Sequence, residues 1–315
     1  MKKFIFKILL FFLLPIAAIA IIAEYSVRKV PNDYSYKNQW MEKNSKNIQI
    51  LCLGPSSLYY GINPQYFEKK AFNGSHLSQS LNYDNFVFNK FIDKMDSLQY
   101  LVLDIDYWSP FSSLESSLEW WRAKYYSIYY GCNYHNGELK YNYELAVHNS
   151  KTFHTAFEGL ENELNIADVS NINVTELGFG VKYSSKLRVE NWDHGKINAI
   201  QHTEWIESQA HLKLIEKNRA FVQDIVNKCV ERHIKVLLIS TPTYETYNTN
   251  RDKKYLKIKD DFCKSFVSPT KNVIFSDFSE DNRFGKADFF DAYHLNEIGA
   301  KKLTLILNNK ISNLN

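Results

Sequence analysis

The chain has 315 residues, 45% of them hydrophobic, enough for one large domain or two small ones with a sizeable core. Its formal charge of +3 is too close to neutral to point to nucleic acid or another charged partner. None of the four cysteines falls in a CxxC pair, which speaks against a zinc or redox motif; Cys52 reads as a core residue, and one disulfide among Cys132, Cys229 and Cys263 stays open.

Lys2, Lys3 and Lys7 precede an apolar run from Ile8 to Ala23. A basic start followed by such a run is a membrane-insertion signal. We expect residues 1–24 to form an uncleaved signal anchor, with cleavage after Ala20 or Ala23 as the alternative. The positive-inside rule then places everything after Glu24 outside the cytoplasm, on a single-pass membrane protein. Residues 25–46 are polar and charged and read as a tether.

Five apolar, strand-like runs follow within 47–315: Ile48 to Leu53, Lys70 to Asn73, Tyr100 to Ile105, Lys235 to Ile239 and Asn272 to Phe275. Between them, Asn85 to Met95, Thr203 to Arg232 and Gly299 to Ile311 carry apolar residues at helical spacing. This alternation predicts an α/β fold, a mostly parallel five-stranded sheet covered by helices on both faces. In such sheets, sites form at the C-terminal ends of the strands. Residues 108–201 break the alternation and read as a large insertion, rich in aromatics from Trp120 and Trp121 to Tyr130. Such rings suit either a substrate wall of sugar-binding type or an extra helical layer.

Two short segments carry chemistry. Leu53-Gly54-Pro55-Ser56-Ser57 runs a strand into a tight turn, presenting a serine where free backbone N–H groups can stabilise an oxyanion. The plain alternative is that Ser56 or Ser57 caps the next helix. Asp291-Ala292-Tyr293-His294 places a carboxylate and an imidazole on one turn, the base and orienter of a serine triad, and Asn296 reads as the N-cap of the last helix. His135, His194, His202 and His211 are scattered and show no ligand motif, so no metal and no cofactor is expected.

Taken together and in this order, the two segments resemble the first and last sequence blocks of the SGNH/GDSL hydrolases. "LCLGPSSLYYGINPQYF" followed by "AFNGSHLSQSLNYD" is similar to a bacterial, membrane-anchored subgroup of that superfamily. The resemblance covers residues 48–106 and 235–311, and it implies a flavodoxin-like three-layer sandwich. It also implies Ser56 as nucleophile, His294 as general base and Asp291 as its partner. The N–H groups of Ser56 and Gly74 would form the oxyanion hole, with Asn73, Trp120 and Trp121 near substrate. Two departures stand out. Ser57 replaces a histidine frequent in the subgroup, and the strand ending Asp104-Ile105-Asp106 lacks the family's Gly-x-Asn-Asp. The implied activity is that of an extracytoplasmic esterase or O-acyltransferase acting on acyl, chiefly acetyl, groups of a cell-envelope glycan or small ester. The competing expectation is an inactive glycan-binding or assembly protein on the same fold.

Overall fold

The structure is a computed structural model and describes residues 2–146, 150–166, 168–208, 211–268, 270 and 272–314. The five apolar runs all become strands: β1 (Ile50–Leu53), β2 (Ala71–Asn73), β3 (Tyr100–Asp104), β4 (Lys235–Ser240) and β5 (Val273–Asp277). They pair in the order β2-β1-β3-β4-β5, every neighbour parallel, with Ile50 opposite both Ala71 and Tyr100. This is the flavodoxin-like order, and its reversal beside β1 opens a crevice at the strands' C-terminal ends.

Helices cover the sheet because its strands alternate two apolar faces. Ile50, Cys52, Tyr100, Val102, Leu237 and Ile239 form one core with Leu303, Leu307 and Ile311 of the last helix, α9 (Glu297–Ser312). In chain order the other helices used below are α1 (Lys2–Lys29), α2 (Asp33–Asn44), α3 (Ser56–Tyr59), α4 (Leu81–Phe91), α5 (Ser150–Glu163), α6 (His194–Ser208), α7 (His211–Glu231) and α8 (Lys253–Lys264). Helices α4 and α7 pack on each other, and α7 packs on β4. The pattern expected over Thr203–Arg232 is helical up to Ser208 and again over His211–Glu231; residues 209–210 lie outside the described residues.

The chain divides into two units, residues 1–38 with 121–172 and residues 39–120 with 173–315. The second holds the sheet. In the first, α1 packs on α5 so closely that a Cβ at Gly159 would fall 2.0 Å from the Ser26 carbonyl oxygen. From Phe11 to Ile22 every large apolar side chain of α1 is exposed, and Phe11–Lys29 is long and apolar enough to cross a membrane. The stretch expected to be a tether is mostly helical and buries Val27, Val30, Tyr34 and Met41. In the first unit the Tyr34 ring packs on Tyr125 and Tyr126, and Lys124 and Glu144 form a buried ion pair at 2.7 Å. Tyr126 and Tyr130 are buried, so of the two expectations for that stretch they fit the helical layer. All four cysteines are buried and free, with no disulfide among the described residues.

Candidate active site

The turn after β1 depends on Gly54. Its φ is +154°, and a Cβ there would sit 2.8 Å from the Asp104 Cβ at the end of β3, so any side chain is excluded twice. Pro55 follows as the N-cap, its carbonyl accepting the Leu58 and Tyr59 N–H groups. Ser56 is therefore the first residue of α3, where a backbone N–H has no partner within the helix. The Ser57 hydroxyl donates to Asp104 Oδ2 at 2.5 Å, and the Thr241 N–H donates to Asp104 Oδ1 at 3.2 Å. One carboxyl thus ties the serine turn to the ends of β3 and β4. Burial, reinforced by the neighbouring Asp106, pushes the Asp104 carboxyl above the usual range.

His294 reaches the same place from the far end of the chain. It lies in a two-stranded antiparallel ribbon of β6 (Phe289–Asp291) and β7 (His294–Leu295). Asp291 Oδ1 accepts the N–H groups of Tyr293 and His294 at 3.0 and 2.9 Å, which closes the turn locally. The Tyr244 N–H donates to the Ala292 carbonyl at 2.7 Å and fixes the turn against the loop after β4. Below it, Asn296 caps α9: its Oδ1 accepts from Ile298 and Gly299, and its Nδ2 donates to the Ala287 and Phe289 carbonyls.

His294 Nδ1 lies 2.9 Å from Asp291 Oδ2, and Nε2 lies 2.8 Å from Ser56 Oγ. A serine, an imidazole and a carboxylate in this relation can act as nucleophile, base and orienter. Burial works against the Asp291 carboxylate. The His294 ring and the two N–H groups outweigh it and hold Asp291 below the usual range, so it stays ionised. No group of three or more His, Cys, Asp or Glu residues able to hold a metal occurs among the described residues.

Two of the remaining expected residues have their bonding groups committed within the fold. The Gly74 N–H donates to the Cys52 carbonyl at 2.8 Å, as part of the β1–β2 ladder, and is not available to an oxyanion. Asn73 is buried and its amide is spent: Nδ2 donates to the Leu58 and Ile62 carbonyls, and Oδ1 accepts from Ser75. It holds the α3 segment to β2 and presents nothing to substrate. Trp121 belongs to the first unit, where it meets Tyr125 edge to face. Trp120 belongs to the second, and the rings described next to His294 include Tyr60, Tyr183 and Tyr293.

One histidine was missed. His202, on α6, bonds the Tyr247 hydroxyl through Nδ1 at 2.7 Å and meets the Tyr293 ring at 5.6 Å. Burial, and then the proximity of His294, push it down to about 4, so it is neutral at physiological pH. No spacing in the sequence links residue 202 to the serine or histidine segments; the packing of α6 does. A separate hollow of about 380 Å³ at the β2 edge, lined by Trp40, Pro64, Phe67 and Lys70 among others, includes none of Ser56, Asp291 and His294.

Among known proteins, no family model and no curated protein matches this chain. Solved structures are similar to it, among them the following one. That crystal structure, of a "putative acylhydrolase" from Bacteroides fragilis NCTC 9343, has 11% identity and a TM-score of 0.41, covering 88% of this chain and 96% of that one. The likeness is too distant to carry chemistry across; the site has to be read from its own atoms.

Proposed function

We propose that this protein is a serine acyl-transfer enzyme, an esterase or O-acyltransferase for acyl groups on a cell-envelope glycan. The observation that carries the reading is the contact of His294 Nε2 with Ser56 Oγ across 238 residues of chain, backed by Asp291 on the other imidazole nitrogen. His294 takes the hydroxyl proton as Ser56 Oγ attacks the ester carbonyl carbon. The tetrahedral oxyanion is met by the Ser56 N–H. Collapse expels the alcohol, protonated by His294, and leaves acyl-Ser56. Water, or a sugar hydroxyl in a transferase, then attacks with His294 again as base, and the acyl group leaves as acid or new ester.

The exposed apolar stretch of α1 supports a single-pass anchor, and the basic N-terminus favours an extracytoplasmic site domain. A second reading, a binding protein with a silent site, is favoured by one observation: the Gly74 N–H is committed to Cys52, which leaves the oxyanion short of a donor. Acetate release from acetylated model esters separates the two. On the enzymatic reading, Ser56→Ala lowers turnover by about 10⁴-fold or more with little change in Tm. Wild-type protein with no turnover on any ester favours the binding protein.

A further inference from the structure

The rings around His294 differ in how they are covered. Tyr183 is sandwiched between Tyr60 at 3.8 Å and Phe290 at 3.9 Å, nearly parallel to both, so both its faces are spent. A continuous row of other ring contacts leads away from His294. It passes through Tyr293 at 4.2 Å, then His202, then Trp108 at 6.0 Å from His202, and ends at Trp205, 6.2 Å from Trp108 and at 87° to it. These contacts are tilted or edge-on, and Tyr293, His202, Trp108 and Trp205 are all only half-buried. Tyr293, His202 and Trp108 thus each keep part of their surface exposed beside the candidate base.

The row is also polar in a defined place. Among the described residues, the hydrogen bond that holds the His202 ring joins Nδ1 and the Tyr247 hydroxyl, and Tyr247 is kept neutral by its burial. With the phenol donating to Nδ1, the His202 proton sits on Nε2 as a neutral donor. Flat apolar faces meeting at a corner, with a neutral donor between them, match a sugar ring. Its C–H faces lie on aromatics, and its hydroxyls need a hydrogen-bond partner. An acyl chain would leave the imidazole N–H unpaired.

We propose that Tyr293, His202, Trp108 and Trp205 form the subsite for the sugar ring that bears the ester, with His202 Nε2 donating to one of its hydroxyl or ring oxygens. The inference rests on Ser56 being the acyl-transfer nucleophile.

The test compares two esters, 4-nitrophenyl acetate, which has no sugar, and methyl 6-O-acetyl-glucopyranoside, on the full-length protein. Trp108→Leu and His202→Phe should each lower the ratio of kcat/KM for the sugar ester to that for the nitrophenyl ester at least tenfold, mainly through KM. His202→Gln, which keeps an N–H, should restore part of the loss. A ratio unchanged in both variants, or both esters slowed in proportion, overturns the subsite. If wild-type protein hydrolyses neither ester, the subsite is judged by binding of the same sugar ester, read by tryptophan fluorescence. Saturable quenching that Trp108→Leu weakens at least tenfold upholds it, and no saturable quenching, or quenching unchanged by that substitution, overturns it.

Discussion

Ser57 and Asp104 fix the turn that carries Ser56, and the pair is closed in a way that a surface serine and aspartate would not be. The Ser57 hydroxyl and the Thr241 N–H both donate to one buried carboxyl, so removing either donor leaves it under-satisfied. Ser57→Ala should lower stability by about 1–3 kcal/mol, measured by urea unfolding. The pH dependence has two limbs with opposite signs. The Asp104 carboxyl is raised by burial and by Asp106, so the folded state holds its proton more tightly than the unfolded chain does. That contribution is complete below the ordinary aspartate range and is lost as pH rises through the raised folded value. His202 is depressed from 6.5 to about 4 by burial and then by His294. Its contribution is complete above its unfolded value and is lost as pH falls towards 4. Melting temperature against pH should therefore flatten on its alkaline side in Asp104→Asn and on its acid side in His202→Gln. Profiles parallel to wild type in both variants would refute the two assignments.

At the scale of elements, the turn from Asp291 to His294 and the cap of α9 form one block. Asn296 satisfies two helix N–H groups and two carbonyls on the site's side of the helix. Asn296→Ala should lower stability by about 1–3 kcal/mol in thermal or urea unfolding. A loss within experimental error would show that water replaces these bonds. The same block explains what could be read without coordinates. Asp291, His294 and Asn296 act over three to five residues, so their spacing alone discloses the turn and the cap. The strands were legible because fully buried parallel strands are written as short apolar runs. Gly74 and Asn73 misled for the same local reason: a glycine and an asparagine at the end of a strand look free, whereas here the β1–β2 ladder and the Leu58 and Ile62 carbonyls consume their bonding groups. His202 was illegible because only α6, packed by tertiary contacts, brings it to Tyr293 and Tyr247. The single insertion expected over 108–201 divides at 120/121 and 172/173, since 121–172 packs with the N-terminal segment through contacts such as Ser26 on Gly159. No periodicity in either segment announces that pairing.

For the molecule as a whole, the account joins an apolar N-terminal helix to a parallel sheet with Ser56, His294 and Asp291 gathered at its C-terminal edge. The proposed anchor implies that the protein stays in the membrane fraction after an alkaline wash and leaves it only with detergent, and that protease added to intact spheroplasts removes the sheet-bearing unit. Release by the wash, or full protection from protease, would refute the expected topology. The central claim is that Ser56 is an activated nucleophile, because an imidazole contact alone could still be a structural hydrogen bond. It is tested most directly by reacting the detergent-solubilised full chain with a fluorophosphonate and locating the adduct by peptide mass spectrometry. The account predicts a single adduct on Ser56, lost on heat denaturation and absent from His294→Ala. A natively folded wild-type protein that carries no adduct on Ser56 would contradict it.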